Sequence, residues 1–350
     1  MHWFIVPDLD GPISGGTRFN RLLLEALVES GWPARVLPLQ DARPVLACAE
    51  ATDCFWVDSL YIDQVPALVH TAGGVAWVGL LLHYLPSLVA RPDGPLGVAE
   101  TVALDVVDAF LVPSAFMHDV VRRCTRAGRP IVQVEPGRPR QPARSLPVPS
   151  PVRAVMVANL LPGKGVAALL TDLSDRLLPA DVFQLTIIGG SSLDSGYARR
   201  CLTLAEHPAL AARVHFTGAL PAEETLSRMA GSNLLASASV MESYGMALAE
   251  ARTLGLPVVA VAGGNVATLV SPASGGEVVA DARALGAACV ALARDPGQHQ
   301  ARWARAYQNA LPAWSWRRVA QTFMVQVSAW VKHAAGSGPE KGAWHDGGPA

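Results

Sequence analysis

Charge is scarce in this sequence. Only 16% of its 350 residues are charged, and 28 Lys and Arg against 29 Asp and Glu leave a net charge of -1. No run of Lys or Arg occurs, which argues against nucleic acid and against a strongly anionic partner. Cysteine is sparse too. Cys48, Cys54, Cys124, Cys201 and Cys289 show no metal-ligand spacing. Their odd count and wide scatter fit reduced thiols in a cytoplasm, expected as small buried hydrophobes. The opening MHWFIVPDLDG has no basic segment, and its apolar run is too short for a secretory signal. The most apolar stretch, 73–82, is too short to span a bilayer. A soluble, cytoplasmic chain is expected, with peripheral membrane contact left open. No Gly-x-Gly-x-x-Gly follows the first strand, which argues against a dinucleotide oxidoreductase.

Apolar residues are abundant, at 51%, and the length suits two α/β domains. The chain opens with an expected strand at 3–6, a loop at 7–17, a helix at 18–30 and a strand at 34–39. That is the beginning of a doubly wound sheet. Ser14-Gly15-Gly16-Thr17 sits at the end of the loop. The paired glycines would let a ligand approach the backbone at a helix start, or simply make a tight turn. Asp8-Leu9-Asp10 resembles a metal-holding Asp-x-Asp pair but lacks further hard ligands nearby, so it is expected to solvate the loop. Apolar strands are expected at 54–57 and 75–82. His83 follows the second, at the carboxyl end where ligands of parallel sheets usually bind; a half-buried structural histidine is the alternative.

The densest pattern lies at 233–264. Asn233 to Ala236 reads as a strand end, Glu242-Ser243-Tyr244-Gly245 as a polar turn, and Met246 to Leu254 as a helix stopped by Gly255 and Pro257. Val258 to Ala262 reads as a buried parallel strand. If the segment were helical throughout, Glu242 and Glu250 would lie roughly 12 Å apart along the axis. Helix N–H groups near Gly245 and Met246 would attract phosphate.

From Glu242 to Ala260 the chain resembles the retaining glycosyltransferases of family four, whose signature is Glu, seven residues, Glu. Ser243, Tyr244, Gly245, Glu250, Ala251, Gly255, Pro257, Val258 and Val259 stand where that pattern has them. The resemblance implies the GT-B fold, an α/β arrangement of two Rossmann-like doubly wound domains facing across a cleft. It implies transfer of a sugar from a nucleotide-diphosphate sugar to an acceptor hydroxyl with retention, without a metal and with no cofactor beyond the donor. Glu250 would hold the ribose, and Glu242 the donor sugar. Ser243, Tyr244, Gly245 and Met246 would line the donor site, His83 would position the sugar, and Gly15 and Gly16 would face the diphosphate. The acceptor, a small molecule, glycan or lipid-linked sugar, stays open.

A second strand–loop–helix, starting at 153, carries Asn159 and Lys164. Lys164, flanked by Gly163 and Gly165 at a helix entry, can neutralise a phosphate. The family has Lys-Gly here, contacting the diphosphate, and a glycine turn beside the nucleotide where Gly189-Gly190 stand. Two departures occur: Asn159 where the family often has Arg, and Ala267 where it usually has Glu. They leave room for a non-catalytic nucleotide-sugar-binding subunit, and an epimerase or hydrolase of the same fold is the other alternative. The expected domains are 1–140 for the acceptor, a Pro-rich linker at 141–151 and 152–312 for the donor. A helix at 313–332 is expected to return to the first domain, before a disordered tail at 333–350.

Overall fold

The computed structural model describes residues 1–11, 14–90, 94–125, 128–138 and 151–336. Most of the expected linker (141–150) and of the expected tail (337–350) lies outside the described residues. By its contacts the chain divides into two units: Met1–Gly11, Gly16–Gly137 and Ser315–Ala350 form one, Pro12–Gly15 and Arg138–Trp314 the other. Among the described residues, each unit contains one six-stranded, wholly parallel sheet.

In the first unit the chain runs β1 (His2–Ile5), α1 (Gly15–Glu29), β2 (Ala34–Val36), α2 (Leu39–Ala47), β3 (Cys54–Asp58), α3 (Val65–Ala72) and β4 (Trp77–Leu81). It continues through α4 (Pro86–Ala90), α5 (Val98–Val106), β5 (Ala109–Val112), α6 (Ala115–Cys124) and β6 (Ile131–Gln133). All five residues of β3 are buried, as a strand covered on both faces demands. The strand order β2-β1-β3-β4-β5-β6 reverses direction between β1 and β3. Ligands of such sheets bind beyond the carboxyl ends of the strands at this reversal.

The second unit repeats the scheme. It contains β7 (Val152–Val157), α7 (Val166–Arg176), β8 (Phe183–Ile188), α8 (Ser195–Ala205), β9 (Val214–Gly218) and α9 (Ala222–Ala230). Then come β10 (Leu234–Ser237), α10 (Met246–Thr253), β11 (Val258–Val261), α11 (Val266–Leu269), β12 (Glu277–Val279), α12 (Ala282–Arg294) and α13 (Pro296–Gln308). Its order, β12-β11-β10-β7-β8-β9, reverses between β7 and β10. The loops after these two strands are therefore neighbours.

The last helix, α14 (Trp316–Gly336), belongs to the first unit. Phe323 is fully buried, with its ring 5.5 Å from Trp56 and 6.0 Å from Phe4. Trp330 stacks edge-on against Trp77 at 5.1 Å. Residues near the end of the chain thus complete a core begun at its start.

Two expectations are corrected. Gly15 and Gly16 are not in the loop: they form the first turn of α1, where N–H groups need no intrahelical partner and a glycine costs little. None of the five cysteines forms a disulfide, and only Cys54, Cys201 and Cys289 are buried; Cys48 caps α2 and Cys124 ends α6, and both are exposed. Among the described residues no helix is long and apolar enough to cross a membrane.

Candidate active site

The loops after β7 and β10 meet through backbone. A Cβ on Gly165 would lie 2.2 Å from the carbonyl oxygen of Ala238, so only glycine lets the two approach. Val240 N–H donates to the Gly163 carbonyl at 3.0 Å and fixes their register. The approach sets Lys164 against the turn that carries Glu242. Lys164 Nζ lies 2.7 Å from Glu242 Oε1 and 3.3 Å from Ser239 Oγ. Ser239 donates its proton to the Met241 carbonyl at 3.0 Å, which leaves its oxygen to accept from the ammonium. The pair is half-open to water, with side chains 34% and 19% exposed.

Glu242 is in extended backbone, bridged in parallel to Gly264. The segment is thus not helical throughout, and the roughly 12 Å axial offset of a continuous helix does not apply to the two acids. The chain turns at Gly245, whose φ of 87° a side chain would resist, and α10 begins only at Met246. Asn265 pins this turn from the next loop: its N–H donates to the Glu242 carbonyl and its amide Nδ2 to the Tyr244 carbonyl, each at 2.8 Å. Glu250 lies in the second turn of α10 and is only 2% exposed. Ser243 lies within the turn itself.

Tyr244 is buried, and its hydroxyl accepts from Arg138 Nη1 at 3.1 Å. Arg138 also donates through Nε to the Pro312 carbonyl at 3.2 Å, and its guanidinium lies 4.9 Å from the Trp314 ring centre. Arg138 and Trp314 form an antiparallel bridge. Arg138 carries no sequence signal of this role, because it stands at the head of a proline-rich stretch. Asn159 accepts the Gly190 N–H at 2.8 Å through Oδ1. Its side chain shapes the Gly189-Gly190 turn and does not stand in for the missing arginine's charge.

In the first unit His83 follows β4, half-buried, with Nε2 2.8 Å from Asn20 Oδ1 and its ring edge-on to Phe19 at 4.9 Å. Burial pushes its pKa below the usual histidine value, and the nearby Asp58 carboxylate opposes that shift. Gly16 lies close by: an added Cβ would be 3.4 Å from His83 Cδ2. Asp8 makes a local turn by accepting the Asp10 N–H at 3.0 Å, and Asp10 pairs with Arg21 at 3.2 Å. Among the described residues no group of three or more His, Cys, Asp or Glu could hold a metal.

Residues 138–309 match the family model described as glycosyl transferases group 1. The matched stretch contains the whole second sheet, Lys164, Glu242 and Glu250. Solved structures share the full architecture. A sucrose-phosphate synthase from Thermosynechococcus elongatus is similar with a TM-score of 0.75 at 19% identity, over 95% of this chain and 99% of that one. The Anabaena protein HepE, in complex with UDP and glucose, gives 0.71 at 16% identity, over 94% and 99%. The pneumococcal O-GlcNAc transferase GtfA, with UDP and GlcNAc, gives 0.59 at 18% identity, over 83% and 60%. The α/β fold is thus the one named GT-B. No curated protein matches the sequence.

Proposed function

We propose that this chain is a retaining, metal-independent glycosyltransferase of family four, working in the cytoplasm on a nucleotide-diphosphate sugar. One observation carries the reading: a lysine and a glutamate, 2.7 Å apart beside the start of α10, within a group 1 glycosyltransferase domain. The demand of the reaction is a stable diphosphate leaving group. Lys164 supplies a positive charge for it, and the N-terminal N–H groups of α10 supply partial positive charge. Glu242 would then bind the donor sugar and steady positive charge at its anomeric carbon. Glu250 would bind the ribose. His83 would contact the sugar being transferred.

In this scheme the bond from the anomeric carbon to the phosphate oxygen breaks, and the diphosphate leaves with the electron pair. The acceptor oxygen bonds to the same face of that carbon, and its proton passes to the departing phosphate oxygen. No separate general base is required. Similar structures hold UDP or UDP-glucose, so uridine diphosphate sugars are the first donors to test. The acceptor is a hydroxyl of a small molecule, a glycan or a lipid-linked sugar.

The test is a thermal-shift screen of nucleotide diphosphates and their sugar conjugates, followed by turnover of the best donor with and without EDTA. Glu242→Gln and Glu250→Ala are expected to lose most activity, and EDTA to change nothing. Full turnover in both variants would sink the site assignment.

A further inference from the structure

Three side chains from three elements form a line beneath His83. Asp58 ends β3 and Asn20 lies on α1; both are 1% exposed. Asp58 Oδ1 accepts the Leu60 N–H at 2.8 Å, and its Oδ2 accepts from Asn20 Nδ2 at 2.6 Å. Asn20 Oδ1 in turn faces His83 Nε2 at 2.8 Å. The backbone on either side of the ring is held as well. The N–H groups of His83 and Tyr84 both donate to Ser59 Oγ, each at 3.1 Å.

Direction along this line follows from chemistry. A carboxylate oxygen only accepts, so the NH2 of Asn20 must face Asp58. The amide oxygen must then face the imidazole, and an oxygen there requires a proton on the ring nitrogen. We propose that Asn20 and Asp58 are positioning residues that hold His83 as its Nε2–H tautomer, leaving Nδ1 as the acceptor it presents. Among the described residues Nδ1 has no hydrogen-bond partner. Burial disfavours the imidazolium, and the Asp58 carboxylate opposes that. The tautomer itself rests on this geometry. Its effect on turnover rests on the proposal above that His83 contacts the donor sugar, where an acceptor nitrogen would take a hydroxyl proton and a donor nitrogen would not.

The experiment uses the full chain labelled with 15N-histidine and reads the imidazole nitrogens by long-range 15N–1H correlation. The chain has nine histidines, so His83→Gln assigns the resonance. The wild type is expected to show Nε2 protonated and Nδ1 bare. Asp58→Asn keeps an oxygen to cap Leu60 but offers Asn20 a competing donor, so the amide can turn over and His83 is expected to populate Nδ1–H. Asn20→Ala removes the bond altogether and is expected to give a tautomer mixture. The buried His299 serves as the control for folding in each variant. kcat/KM for the best donor should fall about 10- to 100-fold in both, the range for partners that orient a ligating imidazole. The affinity for nucleotide diphosphate alone should hold. An Nδ1–H signal in the wild type, or an unchanged pattern in both variants, overturns the proposal. If the tautomer responds while kcat/KM does not, the lock stands and the sugar contact of His83 falls.

Discussion

Replacing Glu242 with glutamine separates the two partners that Lys164 is asked to serve. The ammonium is held by Glu242 at 2.7 Å, with side chains 34% and 19% exposed. Fully exposed pairs contribute about 0.2–1 kcal/mol, and the partial shielding here places this one near the top of that range, at about 1 kcal/mol. A diphosphate must take the ammonium from the carboxylate, so that ~1 kcal/mol opposes binding. Glu242→Gln removes the competitor, and nucleotide diphosphate without its sugar should bind about fivefold tighter. Lys164→Met removes a charge-assisted contact of about 1.5–3 kcal/mol together with that ~1 kcal/mol cost, and the same ligand should bind about 2- to 30-fold weaker. In the Lys164→Met background the gain from Glu242→Gln should vanish, because the two residues share one interaction. Isothermal titration with UDP at fixed salt reads all four proteins. The opposite signs are the test. If the glutamine variant binds UDP more weakly, or both single variants weaken it alike, the ion pair is not the diphosphate's competitor.

Gly79→Ala should destabilise the first unit by about 1–3 kcal/mol in urea unfolding, because its Cβ would lie 2.6 Å from the fully buried Trp56 ring; a loss below a few tenths would show that the ring has room to move. His2 is held down to about 4 by burial and then by the chain's amino group, so the unfolded chain binds its proton first. Stability is therefore fully present above about 6.5 and falls with pH toward 4, by at most about 1.4 kcal/mol per pH unit, and His2→Gln should flatten that slope. Burial pushes the Cys289 thiol up to about 12, so iodoacetamide on the folded chain should label the exposed Cys48 first and spare Cys289; equal rates would contradict that packing.

The alternating elements were legible because their signals are local. Apolar runs marked β3, β10 and β11 to within a residue or two, and Ser114 caps α6 as its position suggests, accepting the Met117 N–H at 3.1 Å. Helix α2 was hidden by Pro44 in its interior, and α8 and α13 by their high polar content. The acidic turn was visible as a pattern, but its geometry was not: the extended backbone at Glu242 depends on a bridge to Gly264, a partner 22 positions on. Asp58 and Asn20 were overlooked. Their signals were a carboxylate closing a wholly apolar strand and an amide inside the apolar face of α1. Both mark buried polar groups, whose partners only the tertiary fold supplies.

The place of α14 sets an order for biosynthesis. Ribosomes release the first unit's sheet early, yet Phe323 and Trp330, which fill its interior against Phe4, Trp56 and Trp77, emerge only after the second unit. The half made second has its own strands complete before that helix leaves the exit tunnel. The core of the first unit is therefore complete only once α14 has followed the second unit, and a nascent chain stalled short of Trp316 would leave Phe4, Trp56 and Trp77 without those partners.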